Sequence, residues 1–216
     1  MQDEVLDHLK DGIRKFRTEI YPAQAETFKR VMSEPQRPHA LIITCADSRI
    51  HPDMLTQAQP GEIFVTRNIG NMVPQYGEML GGVSAVLEFA VQAMKVKHIA
   101  VIGHAECGAI KALLAPESLT SMPTVKAWLT NARQALEAGL AIHAERQARG
   151  EDPGDLEKIV TEQNVLLQMR HVKSQPSVAD ALQRGQLTVS GWVYDIAAGT
   201  VAICEDGDGN FESVEL

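Results

Sequence analysis

The sequence predicts an α/β fold: a central, mostly parallel sheet flanked by helices, preceded by an N-terminal helical arm. Three observations carry this. The runs Ala40–Thr44, Ile63–Val65 and Ile99–Ile102 are short and continuously apolar, as strands buried on both faces are. Segments of helical spacing separate them, the alternation that builds a parallel sheet with crossover helices. The chain has 216 residues, 44% hydrophobic and 22% charged, which suits one core-bearing domain spanning 1–216, with the arm at 1–34.

In the arm, Val5, Leu6, Leu9, Ile13, Phe16 and Ile20 recur at spacings of one, three or four and form one stripe. Such a stripe packs on a core or clasps a partner. Tyr21-Pro22 is expected to break the arm, with a second helix over about Ala23–Met32. The first strand ends at Cys45 and the second near Arg67; Gly81–Met94 is helical, and the third strand ends at Gly103-His104. Cys107–Leu114 reads as a helix, and residues 123–170 as polar helices interrupted at 150–154. Ser177 and Asp180 suggest a capping box after Gln175-Pro176. Leu187–Asp195 and Thr200–Cys204 are strands joined through Ala198-Gly199.

Charge and composition exclude several functions. With 20 Lys and Arg against 28 Asp and Glu, the net charge of −8 speaks against nucleic acid and against an anionic membrane surface. No apolar run approaches the roughly 20 residues of a membrane span. Met1-Gln2-Asp3-Glu4 is acidic, so no signal peptide is expected. Three cysteines are too few for a disulfide framework and point to a reducing cytoplasm, where they bind metal or do chemistry.

Chemistry in open parallel sheets sits beyond the carboxyl ends of the strands. The first strand runs into Cys45-Ala46-Asp47-Ser48-Arg49 and the third into Gly103-His104-Ala105-Glu106-Cys107-Gly108. Two thiolates and an imidazole form a zinc set by ligand type, with a fourth position open to water. Cys107 opens a helix, where free amides favour thiolate. Asp47 would ligate the metal or accept a proton from its water, with Arg49 holding it ionised in a bidentate pair. Three plainer readings stand beside this one: cysteines as small buried hydrophobes, Asp47–Arg49 as a surface ion pair worth under about 1 kcal/mol, and a thiol nucleophile paired with His104. Asp206–Asn210 resembles a calcium loop only faintly and reads as a turn; Cys204 reads as core. His39, His51, His98, His143 and His171 read as surface or loop residues.

These residues resemble the β-class carbonic anhydrases, which carry C-x-D-S-R and H-x-x-C; here these are Cys45–Arg49 and His104–Cys107. The resemblance extends through Gln59–Glu62, Arg67–Asn71 and Gly191–Asp195. It implies one Zn²⁺ per chain held by Cys45, His104 and Cys107, with Asp47 and Arg49 as the catalytic pair and Gln36, Phe64, Ile69, Phe89 and Gly108 at the substrate. It also implies reversible hydration of CO₂ to bicarbonate, zinc hydroxide attacking CO₂ while Asp47 and Arg49 orient it, in a homodimer or higher even homo-oligomer with apolar residues shared across the interface. Hydrolysis of carbonyl sulfide or carbon disulfide, or a structural zinc module, are the alternatives on this scaffold. Three departures stand out: Ala105 where Ser or Thr is common, Gly70 for the usual Ala of R-N-x-A-N, and Ala109 for a frequent second Gly. Some bacterial members have a closed state in which the Asp swings onto zinc. It goes with a bicarbonate site built from a Trp, an Arg and a Tyr. Arg67 and Tyr194 are present here, but Ile42 replaces the Trp and Gln36 belongs to the open, plant-like type. Asp47 is therefore expected to stay on Arg49.

Overall fold

The structure is a computed structural model that describes residues 2–78 and 81–214. It divides into two compact units, up to Arg37 and from Pro38 on. In the first, α1 (Gln2–Lys15) runs through a π-helical turn (Phe16–Ile20) into α2 (Tyr21–Ser33). The expected break at Tyr21-Pro22 does not occur. Pro22 falls where the π turn has already displaced the backbone ladder, so its missing N–H costs little. The rings of Phe16, Tyr21 and Phe28 pack together with centroids 5.4–6.1 Å apart. The stripe from Val5 to Ile20 is 42–64% exposed.

The second unit holds β1 (Ala40–Cys45), α3 (Pro52–Thr56), β2 (Ile63–Asn68), α4 (Gly82–Phe89), β3 (His98–His104) and α5 (Gly108–Leu114). Then come α6 (Pro123–Trp128), α7 (Arg133–Ala148), α8 (Leu156–Ser174), α9 (Pro176–Gln183), β4 (Thr188–Asp195), β5 (Thr200–Cys204) and β6 (Glu212–Ser213). The strands form a sheet in the order β2-β1-β3-β4-β5-β6. The first four are parallel and the last two antiparallel. The short α3 and β6 left no sequence signal. Gln175 rather than Ser177 precedes α9, because Pro176 starts the helix without needing an N–H partner, and no side chain caps it.

β1 is buried throughout, as its unbroken apolar run requires. One face of the sheet contributes Leu41, Ile43, Ile99, Val101 and Val189 to the main core, together with Val165, Met169 and Val172 of α8. The other contributes Ile42, Ala100 and Ile102, with Trp192 and Tyr194 partly buried beside them. α8 lies close on β3 and β4 because those strands present glycine to it. A Cβ on Gly103 would stand 2.6 Å from Val165 Cγ2, and one on Gly191 2.5 Å from Met169 Sδ. β1 connects onward to β2 on one side while β3 lies on the other, so the order reverses between β1 and β3. That switch point is where open α/β sheets form crevices for ligands.

Candidate metal centre

Cys45 ends β1 and His104 ends β3, so the switch point sets them side by side. The chain then turns sharply through Glu106, whose φ is 59°, and brings back Cys107 as the residue capping α5. Ala105 N–H bonds to the Tyr194 carbonyl at 2.9 Å and fixes this turn to β4. The Sγ atoms of Cys45 and Cys107 and a ring nitrogen of His104 lie within 4.8 Å of one another, and all three residues are buried. This is the ligand set expected from the two motifs.

The set fits a metal ion on two grounds. His104 Nε2 is buried and has no hydrogen-bond partner. The other ring nitrogen, Nδ1, lies 2.8 Å from the Ala105 carbonyl oxygen, which orients the imidazole with Nε2 toward the sulfurs. The two thiols interact closely, which pulls Cys45 well down and, with burial, pushes Cys107 up. One thiolate is already favoured, and a divalent cation deprotonates the second. Two soft sulfurs and an imidazole select zinc or a similarly soft cation.

Beside this cluster Asp47 is clamped by Arg49, with Nε to Oδ1 at 2.9 Å and Nη2 to Oδ2 at 2.7 Å. The Arg49 backbone N–H adds a third bond at 3.0 Å. These donors hold the Asp47 carboxyl far below the usual carboxylate range. Asp47 Oδ2 stays 4.0 Å from His104 Nε2, so the carboxylate borders the cluster while bonded to Arg49. The sequence places Arg67 in a family motif and offers it to a bicarbonate site. Here its Nε donates to the Cys45 carbonyl at 3.0 Å and its Nη2 to the Asp47 carbonyl at 2.5 Å, which fixes the backbone of the motif. Ile42 is buried in the sheet.

The expected substrate residues divide. Ile69 is exposed on the loop after β2, next to Gly70, whose N–H points at Cys45 Sγ from 3.4 Å. Gly108 is exposed at the start of α5, with open space around its Cα. Phe64 pairs in register with Leu41, at the far end of β1 from Cys45. Four residues of strand make that separation roughly 13 Å, so Phe64 and Phe89, its ring neighbour at 6.2 Å, do not reach this chain's own cluster. Gln36 is exposed in the first unit, after α2.

Sequence reading missed the polar row Asn164, Gln168, His171 and Gln175, buried along and just beyond α8. These residues bond to the loop after β2: Asn164 to the Gly70 carbonyl, Gln168 to the Val73 N–H, His171 to the Val73 carbonyl and Gln175 to the Pro74 carbonyl. His171 is therefore a buried clamp, not a surface residue. His98, half-buried, bridges Thr188 and Ser190 at 2.7 and 2.8 Å. Cys204 is fully buried, as expected.

A mostly parallel sheet that carries a buried Cys–His–Cys cluster and a clamped Asp–Arg pair at its switch point defines a metal-dependent enzyme centre of carbonic anhydrase type. The sequence profile of the carbonic anhydrases matches residues 40–201, and the chain belongs to this family, in its β class. It is 41% identical over 205 residues to a carbonic anhydrase of Pseudomonas aeruginosa, covering 94% of this chain and 90% of that one. The structure of the β-carbonic anhydrase CcaA superposes with a TM-score of 0.86 at 32% identity, over 99% of this chain and 93% of the other. Tetrameric β-carbonic anhydrases from Sordaria macrospora match with a TM-score of 0.79 at 25% identity, over 98% and 100% of the chains.

Proposed function

We propose that this chain catalyses the reversible hydration of CO₂ to bicarbonate and a proton, with zinc held by Cys45, His104 and Cys107. The observation that carries the reading is the buried three-ligand cluster with Asp47, clamped by Arg49, at its edge. Zinc supplies the Lewis acidity that makes water a nucleophile near neutral pH. Asp47 is ionised and can only accept hydrogen bonds, so it takes the proton side of the attacking oxygen and leaves a lone pair facing CO₂. Arg49 keeps that carboxylate charged and off the cluster, which is the open, plant-like arrangement. Ile69 supplies apolar wall and the Gly108 amide faces the substrate.

The working unit is a homodimer or a higher even assembly. The exposed stripe on α1 and the exposed Phe89 support this, since exposed apolar surface on this scale marks interaction sites. Phe64 and Phe89, remote from their own cluster, then wall a partner's site. No helix among the described residues is long and apolar enough to cross a membrane. Metal-binding thiolates suit a reducing cytoplasm. A CO₂ hydration assay tests the function: activity is expected to vanish with a zinc chelator and to return with zinc. Cys45→Ser, His104→Ala and Cys107→Ser are each expected to lower zinc content sharply, while Cys204→Ser leaves it unchanged.

A further inference from the structure

The peptide between Ile69 and Gly70 is hydrogen-bonded on both sides. Its N–H, on Gly70, points at Cys45 Sγ from 3.4 Å. Its carbonyl, on Ile69, accepts the indole N–H of Trp128 at 2.9 Å. Indole, amide and sulfur thus form one chain of donors and acceptors that ends on a metal ligand. The amide C–N bond is conjugated, so a donor on the carbonyl drains charge from the nitrogen and makes the N–H a stronger donor.

We propose that Trp128 is a positioning residue of the metal centre: through the Ile69–Gly70 peptide it aims and strengthens the hydrogen bond to Cys45, withdrawing charge from that thiolate and leaving zinc the stronger Lewis acid. The inference rests on Cys45 being a zinc ligand. Two thiolates between them offset the charge of Zn²⁺, so hydrogen bonds to sulfur are the means by which the protein restores its acidity. The surroundings leave the peptide little freedom to tilt. Asn164 Nδ2 holds the next carbonyl, on Gly70, at 3.2 Å. Asn68 closes the loop with bonds of 2.9 and 2.7 Å to the Met72 carbonyl and amide. Gly70 itself has a φ of +74° and room for no Cβ, which would lie 2.8 Å from Ala109 Cβ. Trp128 arrives from α6, far along the chain. Its indole is half-exposed, yet its N–H is spent on the carbonyl of a loop residue that would otherwise bond to water.

The test uses the Co²⁺-substituted protein, in which a thiolate-to-metal charge-transfer band reports the charge on sulfur. Trp128→Phe keeps a ring and removes the N–H. The band is expected to move to longer wavelength, and in the zinc enzyme kcat/KM is expected to fall about tenfold with zinc still one per chain. Incorporating 5-fluorotryptophan in a Trp192→Phe background strengthens the donor at position 128 and is expected to move the band to shorter wavelength. This arm decides alone if Trp128→Phe does not fold. A band that stays in place in both arms overturns the proposal, as does a variant that lowers thermal stability without moving the band. If the Co²⁺ form of the native sequence shows no thiolate-to-metal charge-transfer band at all, the ligand assignment itself is wrong and the proposal falls with it.

Discussion

Asp47 is ionised, acceptor-only and held beside the cluster, conditions that Arg49 and Arg67 produce. Arg49 binds both carboxylate oxygens, and Arg67 pins the carbonyls of Cys45 and Asp47. Asp47→Asn keeps the size, introduces donors where only acceptors serve, and leaves the Arg49 fork without its charge partner. It is expected to lower kcat/KM for CO₂ hydration by about 100-fold while zinc stays bound. Stopped-flow assay beside metal analysis checks both halves.

Among the elements, α8 does the most to place the site. It presses on β3 and β4 through Gly103 and Gly191, and its buried polar row ties down the loop that carries Ile69 and Gly70. Gly191→Ala drives a methyl against Val165 Cγ1 and Met169 Sδ, both at 2.5 Å. A loss of about 1–3 kcal/mol is expected, read as a lower urea midpoint. The strands could be read from the sequence because burial on both faces leaves unbroken apolar runs. The ligands could be read because Cys45, His104 and Cys107 follow two of those runs. α8 could be read as a polar helix, but its burial could not: Asn164, Gln168 and His171 are polar and so read as solvent-facing, and what they bind is irregular backbone at residues 70–74, which leaves no period in the sequence. Trp128 escaped for the same reason, its partner being a carbonyl. The arm was legible as helix, but Pro22 gave a false break because a π turn has no sequence signature.

For the whole molecule, assembly and acidity set the limits. Leu9→Glu with Ile13→Glu places charge in the exposed stripe of α1, and light scattering is expected to show a smaller species with reduced activity. His98 and His171 are both held below their ordinary value, chiefly by burial. Below about 6.5 the unfolded chain takes up protons on these rings that the folded chain refuses. Their contribution to stability is therefore whole above that pH and declines as pH falls through the lower folded values. Urea midpoints are expected to drop between pH 7.5 and 5.5, and to drop less in His171→Gln.

The loop glycine beside the metal centre also reframes two of the departures from the family pattern. Where the family usually has alanine and then glycine, this chain has Gly70 and Ala109, and a Cβ on the first would sit 2.8 Å from the Cβ of the second. The methyl group of Ala109 occupies that space. Ala109→Gly alone empties the gap and Gly70→Ala alone overfills it, while exchanging both removes that clash and leaves Met72 Cε, also 2.8 Å away, to move aside and a φ of +74° to be strained. The two positions are therefore coupled: the residue at one decides which side chains the other can hold.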